Sequence, residues 1–150
     1  MAQDQIFKRI LVGDNGTPEA DHAIEVALSL GESVGAVVIL LGVVAPASAE
    51  SEAEGIGLQN PAHVKRQLEE RLAQTVEIGR GRGIGVITEL VEGDPATEIE
   101  RRSEMEDVDL IVIGRRDVSR VRHWLEGSTS ETLVRKSSAS VLVVHEQGPH

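Results

Sequence analysis

The stretch Asp109-Leu110-Ile111-Val112-Ile113-Gly114 decides the fold of this chain. It is a short apolar run, rich in β-branched residues and closed by a glycine, which predicts a buried β-strand rather than a helix. A second apolar run, Val141-Leu142-Val143-Val144, predicts another strand. Between the two lie an arginine-rich loop, 115–126, and a capping box formed by Ser128 and Glu131, which predicts the start of a helix. Strand, loop, helix and strand in this order predict a parallel pair joined by a crossover.

The chain before this unit also alternates strands with helices. Each predicted helix begins at a polar residue followed by proline, whose missing N–H is harmless at the first helical position. The helix after Asp94-Pro95 is predicted to run to about Asp107, with Ile99 and Met105 facing inward. Apolar runs predict strands over Ile6–Gly13, Ala36–Val44 and Ile84–Glu92, and helix starts are predicted at Thr17-Pro18, Asn60-Pro61 and Asp94-Pro95.

Five predicted strands and four predicted helices in strict alternation indicate an α/β fold. We expect a doubly wound parallel sheet with helices on both faces and a ligand crevice at the carboxyl ends of the strands. A length of 150 residues fits one domain, 1–150. The range 45–60 is rich in Ala, Glu, Ser and Gly and predicts a mobile loop. Its composition favours a tolerated surface insertion over a lid or a dimer contact.

Composition excludes several classes of protein. A formal net charge of −10 argues against a general nucleic-acid binder, which needs clustered basic residues. The run Gly79–Gly83 alternates glycine with arginine, but its place after a helix favours a cap and turn over an RNA contact. The chain has no cysteine, no basic leader with an apolar core, and no apolar run near the roughly 20 residues that span a bilayer. We therefore expect a cytoplasmic protein with no membrane or nucleic-acid partner.

Two glycines of the opening unit predict an anion site. Gly114 ends a strand and Gly127 precedes a helix, so bare backbone N–H groups and the positive end of the helix dipole converge there. A phosphate is the ligand that such a site favours. The loop that follows Gly114 is basic although the chain as a whole is acidic. This fits a phosphate site and a solvated surface loop equally well. The charged residues of the loop between 115 and 123 are Arg115, Arg116, Asp117, Arg120 and Arg122.

Signs of catalysis are sparse. The chain has no Gly-x-Ser-x-Gly elbow and no cysteine nucleophile, and its five histidines show no metal-ligand spacing. The segment Gly13–Gly16 lacks the glycine spacing of a dinucleotide fingerprint. A response-regulator receiver would need an aspartate at the end of its third strand and a lysine at the end of its fifth, and Glu92 with Gly93 and His145 with Glu146 do not supply them. We expect a protein that is not an enzyme and has no metal site.

The spacing of the glycines resembles the signature of the universal stress protein family. Gly114 is followed by two residues, Asp117, nine residues and Gly127-Ser128, and the ATP-binding members of that family carry a glycine in place of Asp117. The stretches Ile10–Thr17 and Gly93–Ala96 resemble the family's first turn and its middle, so the likeness covers essentially the whole chain. The resemblance implies a five-strand parallel sheet of order 3-2-1-4-5 and a homodimer formed through the last strand.

The resemblance also implies the residues of a nucleotide site. The family's ribose-contacting aspartate is Asn15 here, with Asp14 one place earlier, and the backbone of Val43 would meet an adenine. Asn15 can hydrogen-bond a hydroxyl but lacks the charge of a carboxylate. The ligand would be ATP or AMP, with magnesium accompanying ATP. The predicted nucleotide-binding residues are Gly13, Asp14, Asn15, Val43, Gly114, Arg115, Arg116, Gly127, Ser128 and Thr129.

Two functional hypotheses follow. The first is a non-catalytic regulatory module with a weakened ATP or AMP site; the second is a dimeric stress-response protein that binds no nucleotide and acts through contacts with an unidentified protein partner. Asp117 discriminates between them, because its carboxylate either repels a phosphate or pairs with the loop arginines. Both hypotheses include a dimer, since an apolar edge strand must be covered or paired. The predicted interface residues are Val141, Leu142, Val143 and Val144.

Overall fold

Up to Gly114, in the part of the chain that the structure describes, strands and helices alternate as the sequence predicts. The computed structural model describes residues 6–44, 61–114 and 137–145. The predicted loop 45–60 and the predicted helix that starts at Ser128 lie outside these ranges. The described elements are β1 (Arg9–Asp14), α1 (Pro18–Val34), β2 (Val37–Val44), α2 (Pro61–Gly81), β3 (Val86–Glu92), α3 (Pro95–Met105), β4 (Leu110–Gly114) and β5 (Ser140–Val144).

The five strands form one sheet. Their order is β3-β2-β1-β4-β5, and every neighbouring pair is parallel. This confirms the predicted α/β class and strand order. The first strand begins later than predicted, at Arg9 rather than Ile6, because its pairing with β2 starts at Arg9 opposite Val37 and Ile6 stays exposed.

Two of the predicted helix starts are confirmed in detail. Thr17 caps α1 by accepting a hydrogen bond from the N–H of Ala20, and Asp94 caps α3 by accepting one from Thr97. Both caps precede a proline, as a helix start favours. The third predicted cap, Asn60, lies outside the described residues. None of the helices in the described ranges has the length and hydropathy needed to cross a membrane.

The sheet separates two apolar layers. Successive residues of β1 point to opposite faces, so Ile10 and Val12 contact the layer that includes residues of α1 and α2, while Leu11 contacts the layer that includes Ile99 of α3. The central strands are apolar on both faces, as expected of a parallel sheet covered on two sides. Helices therefore cover both faces, as predicted.

One residue predicted to face inward does not. Met105 is 62% exposed, whereas Ile99 is buried. The buried side of α3 is formed by Ala96, Ile99 and Ser103. Position 105 lies six residues after Ile99, about 240° around the helix from it, and so falls outside this face.

The glycine–arginine run Gly79–Gly83 forms the last residues of α2, which extends to Gly81, and the turn that follows it. Arg82 donates hydrogen bonds to the carboxylates of Glu25 and Glu32 and to the hydroxyl of Ser29, all on α1. A hydrogen bond from Ser29 and the contacts with Arg82 lower the pKa of Glu25, although partial burial opposes them. The turn is thus tied to α1, which agrees with the prediction of a cap and turn.

Candidate functional site

The sheet opens at the carboxyl ends of β1 and β4. Their pairing runs from Ile10–Leu110 to Val12–Val112, whereas β1 continues to Asp14 and β4 to Gly114. The order β3-β2-β1-β4-β5 makes the junction of β1 and β4 the point where the crossovers change direction. Open α/β sheets bind ligands in the crevice at such a switch point. We call this place the strand-end crevice.

The turn that follows β1 is fixed by its own side chains. The carboxylate of Asp14 accepts a hydrogen bond from the N–H of Gly16 at 2.9 Å. The side-chain oxygen of Asn15 accepts two, from the N–H of Thr17 at 3.1 Å and from its hydroxyl at 2.6 Å. Gly16 has a φ of 83°, which a residue with a side chain rarely adopts. Because the oxygen of Asn15 is used within the turn, its exposed amide offers N–H donors to a ligand.

The side chain of Asp14 faces the protein rather than the crevice. It is 0% exposed, and the guanidinium of Arg71 on α2 contacts it through Nε at 3.2 Å and Nη2 at 2.8 Å. The same Nη2 donates to Asp21 on α1 at 2.7 Å. Burial alone would lower the pKa of Arg71, but the hydrogen bonds with Asp14 and Asp21 raise it above its ordinary value. A nucleotide contact by Asp14 would have to come from its backbone, and it stays a prediction.

Arg71 was not among the residues predicted to form a site. One sequence signal could have found it, because position 71 lies beside Leu68, Leu72 and Thr75 on the side of α2 that is buried. An arginine on that face needs a buried anion, and Asp14 ends an apolar run without a basic neighbour. An arginine on the buried side of α2 and an aspartate at the end of an apolar run together predict an ion pair between Arg71 and Asp14.

Gly114 has a packing role at the crevice. A Cβ on this residue would lie 2.6 Å from the carbonyl oxygen of Glu19 and 3.0 Å from its carbonyl carbon. The absence of a side chain therefore lets the first turn of α1 lie against the end of β4. A Cβ on Gly13 would meet only the flexible end of Ile99, at 3.2 Å.

Val43 lies at the same end of the sheet. The pairing of β1 with β2 ends at Asp14 opposite Gly42, so Val43 is one residue beyond it. Its buried side chain packs in the layer that contains Ile99. The structure thus brings five predicted residues to one end of the sheet, namely Gly13, Asp14, Asn15, Val43 and Gly114. Five others lie outside the described residues, as does Asp117: Arg115, Arg116, Gly127, Ser128 and Thr129.

A separate cavity lies between α1 and α2. Its volume is about 180 Å³, which is below the roughly 300 Å³ at which small-molecule pockets usually begin. It contains no strand-end residue, so it is distinct from the strand-end crevice. Its lining is formed by Asp21, Ile24, Glu25, Leu28, Arg71, Gln74, Thr75 and Ile78.

The predicted dimer strand, β5, is an edge of the sheet. It pairs with β4 on one side, in the order that places it last. Leu142 is 37% exposed, Val144 is buried, and Val141 and Val143 pack partly into the layer that contains Ile99. An apolar edge strand can take a further strand along its free side.

Comparison with known proteins identifies the family. The model of the universal stress protein family matches residues 6–145. Universal stress protein MJ0531 of Methanocaldococcus jannaschii is 27% identical over 150 residues, covering 94% of this chain and 84% of the relative. The solved structure of hypothetical protein MJ0577 superposes with a TM-score of 0.71 at 26% identity, covering 96% of this chain and 99% of that one.

Two solved structures of the same fold contain an adenine nucleotide. A universal stress protein in complex with cAMP has a TM-score of 0.66 at 20% identity, covering 93% of this chain and 97% of that one. A universal stress protein from Archaeoglobus fulgidus in complex with dAMP has a TM-score of 0.59 at 20% identity, covering 92% and 98%. These two show a shared fold. Since the family model spans residues 6–145, nearly the whole length, this chain belongs to the universal stress protein family.

Proposed function

We propose that this chain is a non-catalytic regulatory module with a weakened site for ATP or AMP in the strand-end crevice. One observation carries the proposal: the fixed turn at Asn15 follows β1 and Gly114 ends β4, so both lie at the strand ends beyond the last pairing of β1 with β4. This is the place where an open α/β sheet takes its ligand. The cAMP and dAMP complexes of proteins with this fold support an adenine nucleotide as the class of ligand.

The chemistry of the crevice suggests how the ligand is held. The amide of Asn15 donates to a ribose oxygen, and the backbone of Val43 meets the adenine. Gly114, Gly127, Ser128 and Thr129 hold the phosphates through backbone N–H and hydroxyl groups. Arg115 and Arg116 neutralise phosphate charge, and magnesium accompanies ATP.

Two residues weaken this site relative to a full ATP binder. Asn15 gives up the charge-assisted hydrogen bond that a carboxylate would make with a ribose hydroxyl. Asp117 adds a negative charge where a phosphate approaches. The wild-type protein therefore binds ATP weakly.

The first prediction concerns Asp117. Isothermal titration calorimetry with ATP and magnesium should show binding that is about tenfold tighter for Asp117→Gly than for the wild type, because a repulsive charge is removed. With one tryptophan and no tyrosine, the protein absorbs weakly at 280 nm, so co-purified adenine nucleotide should also stand out at 260 nm.

Asp107→Gly is the matched control for Asp117→Gly. It removes the same charge at an exposed position before β4, at the other end of the sheet, and the φ of 52° at Asp107 suits a glycine. We expect the affinity of this control to equal that of the wild type. Equal affinities for wild type and Asp117→Gly would remove Asp117 as the cause of weak binding. No binding by either would favour the second hypothesis, a dimer that acts by protein contacts alone.

The second prediction concerns a homodimer formed through β5. Multi-angle light scattering at micromolar concentration should give twice the mass of the chain for the wild type and the single mass for Leu142→Asp. A charge in the middle of the paired edge is not tolerated when two such strands meet. Ile87→Asp is the matched control, since Ile87 is 49% exposed on β3, the opposite edge strand. A monomeric wild type, or loss of the dimer in the control alone, would contradict this interface.

A further inference from the structure

The pair of Asp14 and Arg71 connects three elements at the strand-end crevice. Asp14 ends β1, Arg71 belongs to α2, and Asp21 in the first turn of α1 holds the same guanidinium nitrogen. Arg71 forms ion pairs with both carboxylates, with Asp14 at 2.8 Å and with Asp21 at 2.7 Å. Arg71 is therefore the cation that joins the end of β1 to both helices on that face.

The turn at the crevice depends on where the carboxylate of Asp14 lies. One oxygen of that carboxylate accepts from both Arg71 and the N–H of Gly16. The side-chain oxygen of the next residue, Asn15, accepts a hydrogen bond from the N–H of Thr17. A buried carboxylate that loses its cation must be hydrated or move toward water. Either change displaces the acceptor of Gly16 and loosens the turn.

We propose that Arg71 is a positioning residue, which fixes the turn 14–17 and thereby the direction in which Asn15 presents its amide to the nucleotide. This inference rests on the proposed nucleotide function. A turn that already has its binding geometry in the free protein does not have to be ordered when the ligand binds. Binding then costs less conformational entropy. Arg71 acts through Asp14 and does not itself touch the ligand.

Three variants test this role. Arg71→Met removes the charge and keeps an unbranched side chain. The double variant Asp14→Asn with Arg71→Met removes both charges and keeps a side-chain oxygen as acceptor for Gly16. Arg66→Met is the matched control, because Arg66 is an exposed arginine on the same helix.

Amide hydrogen exchange, followed by NMR, measures directly how often the hydrogen bonds of the turn 14–17 open. In Arg71→Met the amides of Gly16 and Thr17 should exchange about tenfold faster than in the wild type through local opening of the turn, at a lower free energy of opening than that of Ile39 in the central strand β2, which exchanges on global unfolding. The double variant should return both rates to within about threefold of the wild type, and Arg66→Met should leave them unchanged. Unchanged rates at Gly16 and Thr17 in Arg71→Met, or the same free energy of opening at Gly16, Thr17 and Ile39, would overturn the inference.

Calorimetry with ATP and magnesium measures how the variants change the affinity for the nucleotide. The affinity of Arg71→Met should fall about tenfold, and the double variant should regain most of it. Equal affinities for wild type and Arg71→Met, beside a loosened turn, would overturn the link between turn and ligand. Absence of binding in the wild type would overturn the proposed function, and the exchange rates alone would then decide whether Arg71 sets the turn.

Discussion

Arg71→Met is expected to lower the free energy of unfolding by about 3 kcal/mol at neutral pH. The side chain of Asp14 is fully buried, so removing its cation leaves an uncompensated charge in the interior. The expected loss lies at the low end of the range for broken buried pairs, because Arg71 keeps 27% of its side chain exposed and water can reach the site. Urea unfolding followed by circular dichroism measures the loss.

The partner substitutions show whether the loss comes from charge. Arg66→Met makes the same chemical change at an exposed position of α2 and should alter the free energy of unfolding by less than about 0.5 kcal/mol. Adding Asp14→Asn to Arg71→Met should recover at least half of the loss, because no buried charge then remains. If Arg71→Met proves as stable as Arg66→Met, the pair contributes nothing to stability and the buried carboxylate is accommodated in another way.

Local signals explain how much of the fold the sequence could predict. A helix start is visible where a polar cap precedes proline, as at Thr17-Pro18 and Asp94-Pro95, since both the cap bond and the proline act within one turn. Buried parallel strands are visible as apolar runs such as Leu110–Gly114. The strand order came from the resemblance of the whole chain to a family, because periodicity alone does not specify which strands are neighbours.

Contacts between distant residues could not be predicted in the same way. Asp14 and Arg71 are 57 positions apart, and their pairing depends on how α2 packs across the sheet. Asp14 therefore looked like a residue of the crevice, whereas its side chain is held in the interior. The exposure of Met105 could not be predicted for the same reason, because the rotation of α3 against the sheet decides which side of the helix is buried.

Gly114→Ala is expected to lower the free energy of unfolding by about 2 kcal/mol. The added Cβ would overlap the backbone of Glu19, with its oxygen at 2.6 Å, and neither β4 nor α1 can yield easily. The overlap is with backbone rather than with the end of a flexible side chain, so the first turn of α1 has to move away from the sheet. Thermal and urea unfolding measure the effect.

Gly85→Ala is the control, because its Cβ would meet only Val37, at 3.8 Å, and its backbone needs no positive φ. We expect that variant to unfold within about 0.5 kcal/mol of the wild type. The comparison separates two reasons for a glycine at position 114. If Gly114 served only to bring backbone close to a phosphate, Gly114→Ala would lose affinity for ATP and keep its stability. Because the structure places Glu19 against this glycine, we expect stability to fall even without nucleotide, and an unchanged free energy of unfolding would show that α1 can shift freely.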